Sequence, residues 1–105
     1  MKKLNRAEEF ASYLQENQYV LVQFGTESCA PCKSIECKLN QWNRTCLLYV
    51  SVDKFIELCG QNQVYTAPTL RFYRYSKCML EVSGYFSLDA FLMQIERILA
   101  LDSNS

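Results

Sequence analysis

Hydrophobic and polar positions alternate along the chain in blocks that switch between a helical and a strand period. Phe10, Tyr13 and Leu14 fall on one face at three- and four-residue spacing, which predicts a helix from Arg6 to about Glu16. Asn5 stands at its cap, with Glu8 three residues on to complete a reciprocal capping pattern. Asn17-Gln18 end the block, and Tyr19-Val20-Leu21-Val22-Gln23-Phe24 follows as an almost continuous β-prone run. A run of that kind suits a central strand covered on both faces. Gly25 to Ser28 form a loop, Pro31 fits the first turn of a helix, and Ile35, Leu39 and Trp42 carry the helical period to about Asn43.

The second half repeats the alternation. Cys46 to Val52 reads as a strand. Asp53 is placed to cap a short helix from Lys54 to about Cys59, and Gly60 to stop it. After Pro68, Thr69 to about Tyr73 and Cys78 to about Ser83 form a hairpin that turns near Tyr75-Ser76 and breaks at Gly84. Leu88, Phe91, Leu92, Ile95, Ile98 and Leu99 form one stripe of a last helix, Leu88 to Leu101, with a frayed tail from Asp102 to Ser105. The order α-β-α-β-α-β-β-α requires a right-handed parallel crossover followed by an antiparallel hairpin. The expected result is an α/β domain with a mixed sheet and helices on both faces.

Composition narrows the function classes. A chain of 105 residues fits one domain, here residues 1–105. At this size the folded chain buries about two-thirds of the surface it would expose unfolded, enough for a core. Lys plus Arg and Asp plus Glu are 11 each, so the net charge is zero, which argues against nucleic acid as a partner. No apolar run reaches the roughly 20 residues that span a bilayer, and no secretory signal follows Met1, so the expectation is a cytoplasmic protein without a membrane partner. The absence of histidine removes every mechanism that needs a His base or ligand. Six cysteines are then the informative feature.

Cys29-Ala30-Pro31-Cys32 carries the chemistry. Its two thiols, directly after a strand and at the start of a helix, lie on one side of the first turn, within reach of a disulfide. Unpaired amides and the partial positive charge of a helix N-terminus stabilise a thiolate, and Lys33 adds a cation. Cys32 shares the apolar face of Ile35, Leu39 and Trp42, whereas Cys29 precedes the helix and should be exposed. Cys29 is therefore the expected nucleophile and Cys32 the resolving thiol. Cys37 lies about 12 Å along the axis from Cys29, too far for a disulfide, and reads as a packing or surface thiol. Cys46, Cys59 and Cys78 read as small buried hydrophobes, and with only one closely spaced pair no metal site is expected. Arg71, in an otherwise apolar strand, either pairs with a carboxylate or marks a face open to water.

Cys-x-Pro-Cys-Lys after an apolar strand, together with Thr66-Ala67-Pro68-Thr69 before the hairpin, resembles the thioredoxin family over about Asn5 to Leu101. The resemblance implies a thioredoxin fold with a four- to five-stranded mixed sheet, in which a leading edge strand has room only for about Lys2 to Leu4. It implies a cis Pro68 lying against a redox-active Cys29–Cys32 disulfide, and a substrate groove of Ala30, Pro31, Ala67 and Pro68, with Ala67 offering backbone hydrogen bonds. The implied activity is that of a thiol–disulfide oxidoreductase reducing protein disulfides, with no cofactor of its own. Its partners would be disulfide-containing proteins and an NADPH-linked thioredoxin reductase, and the protein a monomer. An adaptor module with weak turnover and a disulfide oxidant or isomerase are the alternatives. The chain departs from the family pattern at Ser28, where Trp is usual, and at Ala30, where Gly is usual. It departs again at Gln23, where many members bury an Asp, and at Tyr49, where a Lys is common. Gln23 and Lys33 are therefore candidate tuning residues, Gln23 being unable to accept a proton at neutral pH.

Overall fold

The computed structural model describes residues 1–103. The elements are β1 (Lys2–Lys3), α1 (Glu9–Glu16), β2 (Tyr19–Gly25), α2 (Ala30–Trp42), β3 (Cys46–Ser51), α3 (Ile56–Gln61), β4 (Thr69–Arg74), β5 (Lys77–Ser83) and α4 (Leu88–Ser103). The sheet order is β1-β3-β2-β4-β5. β3 runs parallel to both β1 and β2, whereas β2 with β4 and β4 with β5 are antiparallel. The mixed five-stranded sheet is the expected one, with its short leading strand at the edge.

Alternation along β2 divides the core. Val20, Val22 and Phe24 point to one face, where they meet Phe10 and Leu14 of α1 and Cys59 of α3. Leu21 points to the other, with Leu70 and Phe72, under Ile35 and Leu39 of α2 and Phe91, Leu92 and Ile95 of α4. With both faces covered, β2 from Val20 onward is buried, as its unbroken apolar run requires. Trp42 Nε1 and Arg44 both donate to Glu96 Oε1, at 3.0 and 3.1 Å, tying the end of α2 to α4.

The structure corrects several boundaries. Asn5 does not cap α1, which begins at Glu9; Glu8 pairs with Arg6 instead, and the chain enters the helix through bonds from Glu9 N to Arg6 O and Phe10 N to Ala7 O. Asp53 does not cap α3. Ser51 Oγ accepts from Lys54 N at 3.2 Å, the buried Phe55 anchors the entry, and the helix starts at Ile56. Gly60 lies inside α3, and the left-handed residue that follows the helix is Gln63, at φ 60°.

The hairpin turns at Tyr75 and Ser76 as expected. Both have positive φ, so it is a two-residue turn made without Gly or Asn, and a register irregularity sits between Phe72 and Tyr73. α4 runs two residues further than expected, because Asp102 accepts from Arg74 Nε at 2.7 Å and from the Tyr19 hydroxyl. The rest of the expected frayed tail, 104–105, lies outside the described residues.

Arg71 takes the first of its two alternatives, the ion pair with a carboxylate, and its side chain is largely covered rather than on a face open to water. It pairs with Glu81, donates to Asn62 O at 2.6 Å behind α3, and lies 5.6 Å over the Phe24 ring. Among the other cysteines, Cys59 is buried and Cys37 exposed, as expected, and Cys46 is half-buried. Cys78 is exposed, contrary to expectation, because β5 is an edge strand whose side chains are mostly uncovered.

Candidate functional site: a dithiol at the start of a helix

β2 delivers the chain to a short loop in which Cys29 N bonds Thr26 O at 3.2 Å and the Thr26 and Ser28 hydroxyls meet at 3.2 Å. Cys29 occupies the N-cap position of α2 with extended backbone (φ −86°, ψ 99°), and Pro31 sits in the first turn, where its missing N–H costs nothing. Cys32 N closes that turn onto Cys29 O at 3.1 Å. The two cysteines form a disulfide with a Cα–Cα separation of 5.3 Å. The expected asymmetry is present: Cys32 is 1% exposed, whereas Cys29 is half-buried and reachable from solvent. An incoming disulfide therefore meets Cys29 first, at the helix terminus that favours its thiolate.

The remaining predicted residues fall on two sides of this bridge. Pro31, Ala67 and Pro68 line one apolar groove of about 410 Å³. The Ala67–Pro68 peptide is cis. Gly84, at φ 72°, donates to Pro68 O at 3.0 Å and brings Tyr85 and Phe86 to the far wall. Ala30 is exposed as the first residue of α2 and is not among the residues lining the groove. Sequence reasoning missed Tyr85, which is fully exposed, and Phe86; the available signal was an aromatic pair directly after the glycine break.

On the opposite side a polar cleft of about 920 Å³ reaches Cys32. Lys33, a predicted tuning residue, lines it, its exposed side chain in water. Gln23 lies fully buried between sheet and α2, and its Nε2 donates to Cys32 O at 2.7 Å. It therefore touches the backbone of the resolving cysteine. Its Oε1 has no hydrogen-bond partner among the described residues. Tyr49, paired with Gln23 across β2 and β3, lines the cleft as well. Burial, aided by the carboxylates of Glu36, Glu27 and Asp53, holds its phenol above the ordinary value.

A bridged pair with one accessible and one buried sulfur, next to Pro31 of a groove that also holds a cis proline, has the arrangement of a two-thiol exchange centre. The thioredoxin family model matches residues 1–97. The chain belongs to the thioredoxin family. It is 30% identical to the thioredoxin of Neurospora crassa over 84 residues, covering 73% of this chain and 66% of that protein, just under two-thirds of its length. It is 27% identical to thioredoxin-1 of Schizosaccharomyces pombe over 88 residues, covering 80% and 85% of the two chains. The structure is similar to thioredoxin f2 of Chlamydomonas reinhardtii, with a TM-score of 0.81, 27% identity and coverage of 92% and 94%. It matches the fold of a point-mutant thioredoxin from Halobacterium salinarum, with a TM-score of 0.82, 24% identity and coverage of 91% and 88%. The Cys29–Cys32 disulfide lies within the residues that the thioredoxin family model matches.

Proposed function

We propose that the chain reduces disulfides in other proteins and is itself re-reduced by an NADPH-linked reductase. The observation that carries the reading is the asymmetry of the pair: Cys29 half-buried beside an apolar groove, Cys32 buried behind it. An extended segment of the substrate lies in the groove formed by Pro31, Pro68 and Tyr85, with its disulfide against Cys29. The Cys29 thiolate attacks one substrate sulfur, forming a mixed disulfide and releasing the other as a thiolate. Cys32 loses its proton to solvent and attacks the Cys29 sulfur. The Cys29–Cys32 bond forms, the Cys29–substrate bond breaks, and the second substrate sulfur leaves with the electron pair. Two electrons pass to the substrate, and the protein is left as the disulfide seen here. We place this work in the cytoplasm; four further cysteines held as free thiols fit a reducing compartment.

Reduction of insulin disulfides, followed by turbidity with dithiothreitol as the electron source, tests the reading. The wild-type chain should accelerate precipitation and Cys29→Ser should not. Tight substrate capture without turnover by the wild-type chain would instead identify an adaptor.

A further inference from the structure

Gly25, the last residue of β2, is buried against the dithiol. A Cβ placed there would meet the Tyr49 hydroxyl oxygen at 2.6 Å, Tyr49 Cε2 at 3.1 Å and Cys32 Sγ at 3.1 Å. The end of the tyrosine ring and the resolving sulfur thus share the space that a side chain at position 25 would fill. Both atoms contact the same point, so the hydroxyl and the sulfur are at most about 6 Å apart. Strand register explains the placement. Gln23 pairs with Tyr49 and Gly25 with Ser51, so Tyr49 projects to the α2 side and leans past Gly25 toward the first turn of that helix. The hydroxyl has no hydrogen-bond partner among the described residues, and the open cleft on its outer side leaves the ring room to adjust.

The surrounding charges leave this hydroxyl as the donor best placed for the sulfur. Glu36 from α2, Glu27 from the loop and Asp53 after β3 supply carboxylates to the cleft. Lys33 from α2, Lys54 after β3 and Lys3 from β1 supply ammonium groups, with Lys3 Nζ 5.9 Å from the Tyr49 ring centre. All three lysines are exposed, so water screens them. Gln23 Nε2 is held against the backbone carbonyl of Cys32, to which it gives one of its two N–H groups. Burial and the three carboxylates hold the Tyr49 phenol protonated through the range in which thiols ionise, so it donates and does not act as a base.

We propose that the Tyr49 hydroxyl donates a hydrogen bond to the Cys32 thiolate and so promotes the resolving step. The assignment rests on the reading of Cys32 as the resolving thiol. In the disulfide form the sulfur is a weak acceptor and the hydroxyl stands by. When the mixed disulfide forms on Cys29, Cys32 is released as a thiol. Its proton leaves through the cleft to water, and the tyrosine O–H turns to the negative sulfur. Cys32 then attacks Cys29, the new disulfide forms, and the electron pair departs with the substrate sulfur. Tyr49 keeps its proton throughout and lowers the cost of holding the charge. A hydrogen bond to a charged acceptor shifts such a titration by about one unit, so at neutral pH about ten times more Cys32 is thiolate with the hydroxyl than without it.

Tyr49→Phe tests this with the ring retained and no existing hydrogen bond lost. The Cys32 Cβ carbon signal of the reduced, ¹³C-cysteine-labelled full chain, followed against pH, should show a midpoint about one unit higher in the variant. Rapid-quench single turnover with a disulfide peptide should show the Cys29 mixed disulfide forming at the wild-type rate. At pH 7 it should persist about threefold longer, since the tenfold loss of thiolate is partly offset by the greater nucleophilicity of the more basic sulfur, the gap closing as pH rises. An unchanged Cys32 midpoint in Tyr49→Phe overturns the role of Tyr49, as does a larger shift from Lys33→Gln or Lys54→Gln than from Tyr49→Phe. A wild-type chain that forms no mixed disulfide on Cys29 overturns the exchange reading itself, an outcome distinct from either.

Discussion

Gln23→Asp converts the buried amide beside Cys32 into an ionisable group, and its consequence for stability follows from the site. Gln23 is fully buried, and its Nε2 donates to Cys32 O at 2.7 Å. The shorter carboxylate loses that hydrogen bond, a pH-independent cost of about 1 kcal/mol. It also cannot ionise without desolvation, which raises a buried carboxyl by roughly 3 units or more from its unfolded value near 3.9. A group whose folded pKa lies above its unfolded one costs nothing extra below the unfolded value. The penalty then grows by about 1.4 kcal/mol per pH unit until the folded value is passed. The variant should therefore lose about 1 kcal/mol at pH 4 and about 5 kcal/mol by pH 7 to 8, a large part of a typical domain's 5–15 kcal/mol. Urea unfolding of the oxidised chain across that range, with Gln23→Asn as the uncharged control, measures it. In the reduced chain the same carboxyl should speed resolution near pH 7 to 8, a gain that disappears in Cys32→Ser. A destabilisation equal at pH 4.5 and pH 8 would refute the reasoning, since the carboxylate would then be hydrated and residue 23 open to water.

Cys32→Ser should trap a stable Cys29–substrate mixed disulfide, visible by non-reducing electrophoresis and mass spectrometry; wild-type turnover in that variant would mean that another thiol resolves the intermediate. Limiting iodoacetamide near neutral pH should label Cys29 before Cys32 in the reduced chain, because Cys29 is the half-exposed thiol at the helix terminus, and peptide mapping reads the order. Hydrogen bonds from the Tyr19 hydroxyl and Arg74 hold the Asp102 carboxyl below its usual range. A lowered folded pKa stabilises above the unfolded value and is lost as pH falls through the folded one, so the stability advantage of wild type over Asp102→Asn should be full at pH 6 and shrink below about pH 4. Thermal melts at pH 6 and pH 3 check the sign.

The long periodic segments were legible because their signals are local and redundant. β2 is a run of β-prone residues buried on both faces, and α2 and α4 each repeat an apolar stripe over several turns. The Cys29–Cys32 pair was legible for the same reason, since its spacing and the stripe behind it lie within one stretch of chain. Short helices were less so. At α1 and α3 the capping residue suggested by sequence competes with neighbours, and Arg6–Glu8 and Ser51–Lys54 prevail over Asn5 and Asp53. The far side of the site was hidden because it is non-local. The family resemblance marked Tyr49 as a departure, but nothing near Cys32 in the chain places its hydroxyl by the sulfur; it arrives there by the pairing of β3 with β2 and by the missing side chain at Gly25. Cys78 was misplaced because apolar neighbours in sequence do not reveal that a strand sits at the edge of the sheet.

That the Cys29–Cys32 pair gives electrons to protein disulfides is a claim about its reduction potential. Equilibrating the full chain with glutathione redox buffers, quenching in acid and quantifying the Cys29–Cys32 disulfide by mass spectrometry measures it. The predicted midpoint is strongly reducing, near the roughly −270 mV typical of thioredoxin. A midpoint of about −180 mV or higher, in the range of disulfide isomerases and oxidants, would contradict the account.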